Sequence, residues 1–286
     1  MTTVPVERQT RAGRLIRSSP ALVLASAIIL GVFVLVAVLA PWIAPYDPDA
    51  IDLANVYSGP SAAHWLGTDG TGRDTLSRLM YGARLSLTAP LLAILVATIV
   101  GTLLGLVAAW AGGVVDGILT RVFDVLFAFP ALLLAMLGVA LFGKGLTAPV
   151  IAVALAYSPY VAILVRSLVL AEGSRPYVAA YRVQGFSGPW TALRRVLPNV
   201  SPTILAQSTL NFGYALMDLA ALSFLGLGVQ PPTADWGAMI NESRAAVLAG
   251  HPLSAVVPAI AVVLAVVTVN VVGDDLADRL AGRTRS

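Results

Sequence analysis

No charged residue stands between Ala21 and Ala44. A helix needs about 20 mostly apolar residues to cross the hydrocarbon core of a bilayer, so lipid is the natural solvent for this run. The rest of the chain follows the same logic. Only 12% of its 286 residues are charged, against about 25% in soluble domains, and the mean hydropathy is +0.84. Too few charges remain to cover a soluble surface. The chain reads as an all-α integral membrane protein.

Six runs of spanning length emerge: 21–44, 85–110, one from just after Asp124 to Phe142, 146–170, 200–225 and 253–272. Arg8, Arg11, Arg14 and Arg17 precede the first, which exceeds a signal-peptide core of ~7–15 residues and reads as an uncleaved anchor. Six spans place both termini on one side. A cytoplasmic N-terminus puts Arg8, Arg11, Arg14, Arg17, Arg121, Arg166, Arg175, Arg182, Arg194, Arg195, Arg279, Arg283 and Arg285 inside, and leaves only Arg73, Arg78, Arg84, Lys144 and Arg244 outside. The positive-inside rule selects that orientation. The expected organisation is a cytoplasmic tail 1–20, a first span 21–44, an external segment 45–84, a five-helix core 85–273 carrying a cytoplasmic loop 172–199, and a cytoplasmic tail 274–286.

Several chemistries are excluded. With no cysteine and only His64 and His251, thiolate nucleophiles, Cys-ligated metals and His-built metal sites have no residues to use. Both histidines fall at predicted outer boundaries and read as interfacial hydrogen-bonding groups. The net charge of +3 reflects the inner-side arginines rather than nucleic-acid binding. "GVALFGK" (Gly138–Lys144) imitates a phosphate-binding loop, but Gly145 stands where the magnesium-ligating hydroxyl belongs. "GTLLG" (Gly101–Gly105) is a small-residue pair that lets helices approach closely.

Asp218 lies inside the fifth run, where an ionisable group is costly and is read either as functional or as a lock between helices. Arg166, near the cytoplasmic end of the fourth, is expected to reach the interface along its own stem. In the external segment Asp69 or Thr71 is placed to cap a helix. That helix carries an apolar stripe of Leu76, Leu79, Met80, Ala83 and Leu87, with Asp74 and Arg78 at pairing distance. It is expected to lie on the outer surface, either contacting a partner or packing as a lid.

The loop 172–199 is the feature lipid does not explain. Pro176 suits a first helical turn, "YVAAYRVQ" makes a short helix, and Gly185 is a natural stop. Pro189 opens a second helix through "WTALRRVL", which Pro198 is expected to break. Two short helices with a small face at Ala179, Ala180 and Val183 present a knob either to a cytoplasmic partner or to the lipid surface.

The order Ala-Ala, Gly185 and Leu197-Pro198 resembles the EAA loop of ABC-importer permeases. Four further stretches resemble their dipeptide/oligopeptide/nickel branch, C-subunit type: "HWLGTDGTGRDTLSRLMYGARLSL" (His64–Leu87), "GGVVDGILTRVFDVLFAFP" (Gly112–Pro130), "LSFLGLGVQPPTADWGAMI" (Leu222–Ile240) and "NVVGDDLADRL" (Asn270–Leu280). Ala179 stands where the family has a glutamate and Tyr181 where it has a second alanine, while Asp218 lies one residue before the position of another family glutamate.

The resemblance implies the type I permease fold and a transport subunit of the bacterial inner membrane, with no catalytic residues, metal or cofactor of its own. A homologous permease would complete a heterodimer around the pathway. Two ATP-binding subunits, or one fused pair, would bind ATP and magnesium and receive the loop through Tyr177, Val178, Ala179, Ala180, Gly185, Leu197 and Pro198. An extracytoplasmic binding protein would deliver peptides, or nickel or another small solute, and Asp69, Gly72, Arg73, Asp74 and Arg78 mark the external segment. From the residues alone, an ATP-independent transporter or channel stays open. It normally needs several intramembrane carboxylates and often internal repeats.

Overall fold

A computed structural model describes residues 19–143 and 145–283. Arg8, Arg11, Arg14, Arg17, Lys144 and Arg285, which bear on the orientation, lie outside the described residues. The chain is helical: α1 Pro20–Ile43, α2 Thr75–Ala111, α3 Gly113–Phe127, α4 Ala131–Phe142, α5 Thr147–Gly173, α6 Pro176–Val183, α7 Gly188–Thr191, α8 Leu197–Phe224, α9 Trp236–Glu242, α10 Arg244–Leu248 and α11 Leu253–Arg283. A 3-10 turn at Leu53–Asn55 and a π turn at Ala192–Val196 complete the order.

By length and composition α1, α2, α5 and α11 are apolar enough to cross a membrane, and α3 with α4 makes a fifth candidate, bent by 89°. The remaining long helix, α8, has 28 residues but falls short in hydropathy, because Gln207, Ser208, Thr209, Asn211 and Asp218 lie along it. Length without apolarity marks a helix turned inward rather than to lipid.

The sequence separates a surface helix from a span near Leu85, whereas the chain forms one helix, α2, of 37 residues. At 1.5 Å per residue it is about 55 Å long, well beyond a hydrocarbon core of about 30 Å. It runs from its first turn without a break, since nothing between Asp74 and Leu85 interrupts the helical period. The last helix likewise runs through the segment expected as a tail, to Arg283.

The core is built from small residues. Ala89, Ala93, Ala97, Ala135, Val153, Ala156, Ala215 and Leu222 join α2, α4, α5 and α8. Ala37, Ala83, Leu87, Leu216, Trp236, Met239, Ala261 and Ala265 join α1, α2, α8, α9 and α11. The most extensive contact is α2 along α5, and Gly101 and Gly105 are its centre. A Cβ on Gly101 would stand 2.6 Å from the Ser158 carbonyl oxygen and one on Gly105 2.5 Å from that of Ala162. The two backbones therefore meet at these glycines, as a small-residue pair requires. Large apolar side chains such as Leu24, Ile28, Leu35, Leu95 and Leu103 face outward.

We predict that Gly105→Leu lowers the thermal unfolding midpoint of the detergent-solubilised protein, consistent with the 1–3 kcal/mol typical of overpacking. Gly117→Ala, where no atom lies within 4 Å, should leave it within error. Equal midpoints for all three proteins would contradict the close approach.

Candidate coupling loop and polar sites

The loop after α5 is a short helix mounted on the end of the bundle. Pro176 opens α6, and the helix closes at Gly185, whose φ of +83° is costly for any residue with a Cβ. The amide of Phe186 donates to Tyr181 at 3.1 Å and that of Gly185 to Arg182 at 3.1 Å, the paired bonds of a Schellman stop. Pro198 does not break the following helix. The π turn at Ala192–Val196 widens the chain just before it, relieving the clash of the proline ring with the preceding turn, and α8 continues.

Burial divides the loop into two faces. Val178 and Val196 are fully buried with Leu106 of α2 and Val161, Val165 and Val169 of α5, and Tyr177 and Leu197 pack against that cluster. Ala179, Ala180, Gly185 and Pro198 are exposed, as is Val183 at 89%. The valines thus fix the loop to α2 and α5 and leave the alanine face outward. Phe186 stacks on Trp190 with ring centres 4.4 Å apart, and the Arg195 guanidinium lies over Tyr181 at 4.9 Å and over Trp190 at 5.7 Å.

A clamp that sequence reasoning missed closes the base of the loop. Glu172, the last acid of α5, accepts from the Tyr177 hydroxyl at 2.9 Å and from Asn199 Nδ2 at 3.3 Å, and pairs with Arg175 at 2.9 Å. Burial, then the bond to Glu172, pushes the Tyr177 hydroxyl above its usual pKa. The clue available beforehand was only that a lone acid ends the span where the loop begins.

Arg166 does not extend to the interface alone. Its Nε and Nη2 meet Asp116 Oδ1 and Oδ2 at 2.5 and 2.6 Å, a two-pronged pair that ties α5 to α3. Asp218 accepts from the Tyr157 hydroxyl at 3.0 Å, joining α8 to α5. Thr98 and Ser208 meet at 2.8 Å across α2 and α8.

The residues just before and at the start of α2 form an ion-pair latch rather than a surface helix. Asp74, not Asp69 or Thr71, caps α2: its Oδ2 accepts from the Ser77 amide and hydroxyl at 2.8 Å each, and its Oδ1 meets His64 Nδ1 at 2.9 Å. With both oxygens engaged, Asp74 does not make the expected pair with Arg78. Arg78 is 1% exposed and reaches Glu242 at 3.0 Å and Asp69 at 3.6 Å. Arg73 pairs with Asp69 at 2.7 Å and also with Glu242. Gly72 has a φ of +78° and a Cβ there would stand 1.8 Å from the Asp52 carbonyl oxygen, so only glycine fits. His251 stacks on Tyr57 at 5.4 Å.

The partner of this latch is the α9 segment. Asp235 caps α9 through the Ala238 amide at 3.1 Å and accepts from the Ser86 hydroxyl at 2.7 Å. Trp236, 1% exposed, donates from Nε1 to the Leu79 carbonyl at 3.0 Å. Burial pushes the Asp235 carboxyl above its usual pKa. For Asp69 burial acts in the same direction, but the Thr71 amide and the Arg73 charge outweigh it and hold the carboxyl below its usual value.

Two outcomes follow for the latch. Arg78→Met, which leaves Glu242 with Arg73 alone, should destabilise the protein by about 3 kcal/mol or more, whereas Asp49→Asn, 3.9 Å from Arg78 and half exposed, should change little. Equal thermal midpoints would contradict this. The depressed Asp69 carboxyl contributes stability above the ordinary carboxylate pKa of about 4 and loses it as pH falls through its lower folded value. Asp235 contributes in the opposite sense. The difference in midpoint between the native chain and Asp69→Asn should therefore be constant from neutrality to about pH 5 and shrink below about pH 4. A difference unchanged down to pH 2 would refute the assignment.

Residues 101–286 match the family described as binding-protein-dependent transport system inner membrane component, and residues 14–60 match the N-terminal TM domain of oligopeptide transport permease C. The glutathione transport system permease protein GsiD of Escherichia coli O6:K15:H31 (strain 536 / UPEC) is 42% identical over 257 residues, covering 89% of this chain and 84% of that protein. The protein of the same name from Shigella flexneri serotype 5b (strain 8401) is 43% identical over the same length and shares. Among solved structures, an inward-facing conformation of the MetNI methionine ABC transporter matches with a TM-score of 0.58 at 14% identity, covering 71% of this chain and 96% of that one. That likeness carries the fold. The chain belongs to the binding-protein-dependent transport system inner membrane component family, as a multi-pass permease subunit of a bacterial inner-membrane ABC importer.

Proposed function

We propose that this chain crosses the inner membrane six times, with both termini in the cytoplasm, and pairs with a homologous permease to enclose a pathway for short peptides. In this topology α1, α2, the bent pair α3–α4, α5, α8 and α11 are the spans. The long outer segments ending in the latch face the binding protein, and α6 faces two ATP-binding subunits or one fused pair, which hold ATP and magnesium. The permease GsiD, named for glutathione transport, is 42% identical, which supports a short peptide as the cargo here.

The observation that carries this reading is the division of the loop. Val178 and Val196 bind it to the inner ends of α2 and α5, while Ala179, Ala180 and Val183 stand free on the opposite face. A loop fixed by one face and open on the other transmits a push. When the ATP-binding subunits close, α6 moves with α2 and α5 and the pathway changes sides. The chain itself lowers no chemical barrier. With Ala179 in place of an acid, the contact rests on shape and on Arg182, Arg194 and Arg195 rather than on a glutamate.

The test is co-expression with a sister permease and the ATP-binding subunits. The native chain should retain the ATPase on purification. Gly185→Arg, strained at a φ of +83°, and Ala180→Arg, on the exposed face, should each lose most of it while α1 to α5 stay folded. Retention of the ATPase by both variants, or its absence from the native complex, would overturn the coupling role.

A further inference from the structure

Asp218 belongs to no part of the coupling loop or the latch. On α8, Gln207, Asn211, Tyr214 and Asp218 follow at steps of four, three and four residues, which places them within an arc of about 60°. At one end this stripe reaches, through Tyr157, an aromatic cluster built from α5 and α3. The Tyr157 hydroxyl donates to Asp218 Oδ2 at 3.0 Å, and Asp218 Oδ1 has no partner among the described residues. The Tyr157 ring lies 5.7 Å from that of Tyr160, and Tyr160 meets the edge of Phe127 at 4.4 Å. Tyr214 is one helical turn from Asp218. Tyr160 and Tyr214 are about half exposed.

Phe127 is itself informative. It is the last residue of α3, immediately before the 89° bend that separates α3 from α4. Interrupted helices at membrane depth occur where the backbone lines a cavity or is buried in protein, and transporters place substrate groups beside them. The break and the carboxylate, far apart in sequence, thus meet through Phe127, Tyr160 and Tyr157. Lipid does not suit this face, because a carboxylate facing hydrocarbon is strongly disfavoured. A carboxylate with a free oxygen, held by one tyrosine of an aromatic cluster, suits an organic cation: the charge pairs with the acid, and nearby rings attract it through their quadrupoles.

We propose that Asp218, with Tyr157, Tyr160 and Tyr214, is a subsite in the pathway for the free α-amino group of a peptide in transit. This rests on the peptide-importer reading above. Asp218 supplies the negative charge, Tyr157 holds one of its oxygens in place, and Tyr160 and Tyr214 flank the ammonium.

The chain contains no cysteine, so Tyr214→Cys introduces a single thiol beside the acid. In the assembled importer in proteoliposomes, with each rate taken relative to the same reagent's rate with a free thiol, modification of this chain by a cationic aminoethyl methanethiosulfonate should be at least about fivefold faster than by the anionic sulfonatoethyl reagent. Asp218→Asn should bring the two rates together. A transported peptide with a free amino terminus and no lysine should protect the thiol, and its N-acetylated form should protect about tenfold less well. Protection by an N-acetylated lysine peptide alone would assign the site to side-chain cations and overturn the α-amino assignment. No modification by either reagent, or no charge preference, would overturn the subsite. Tyr160→Cys, a second reporter from α5, keeps the test open if the α8 variant does not assemble. Charge preference is read without transport. A failed uptake assay would thus count against the peptide reading, and equal reagent rates against the subsite.

Discussion

The contact between α2 and α5 at Gly101 and Gly105 is the one on which the rest of the structure depends. Where a Cβ would stand within about 3 Å of a facing carbonyl, two helices pack backbone to backbone. Lipid supplies no hydrophobic drive for such an association, so close van der Waals contact replaces it. From this contact α2 runs one way to the latch at Arg78, and the other way to Leu106 beneath the loop. Alongside it α5 carries Tyr157, Arg166 and Glu172, one polar tie after another. The ion-pair latch, Asp218 and the loop after α5 are therefore all fixed to one pair of helices.

The polar ties follow one rule. Three ionisable groups along the bundle meet a partner from another element: Arg166 with Asp116, Asp218 with Tyr157, and Arg78 with Glu242. Where carboxylates and cations are removed from water, a missing partner is more costly than the pair is stabilising. Such pairs select how the helices meet. The latch is the densest example, with Asp69, Arg73, Arg78 and Glu242 linking the start of α2 to the end of α9.

Much of this was legible in the sequence, for physical reasons that differ by element. Lipid demands long uncharged runs, so α1, α5 and α11 could be read directly. The glycine pair announced a close approach, and Pro176 and Gly185 marked both ends of α6. What was not legible depends on contacts between distant residues. Glu242 lies 164 residues from Arg78, and no local pattern joins them. The continuity of α2 is hard to read because the chain passes from polar to apolar composition near Leu85, although the helical period persists. Pro198 was expected to end a helix, yet a π turn accommodates it, and π turns leave no clear trace in residue order. Asp74 was assigned to Arg78 by spacing, but the capping bond to Ser77 and the contact with His64 occupy its oxygens.

The central claim is that the loop after α5 moves as one body with α2 and α5. Because the chain has no cysteine, spin labels can be placed at Leu193→Cys in the π turn of the loop and Leu103→Cys on α2, both exposed, in the assembled importer. The distance between them would be measured without nucleotide and with ATP trapped in the ATP-binding subunits. A single distance distribution, unchanged by ATP, is the predicted result. A shifted distribution, or a second peak that appears with ATP, would mean that the loop swings on its own, and would contradict the account.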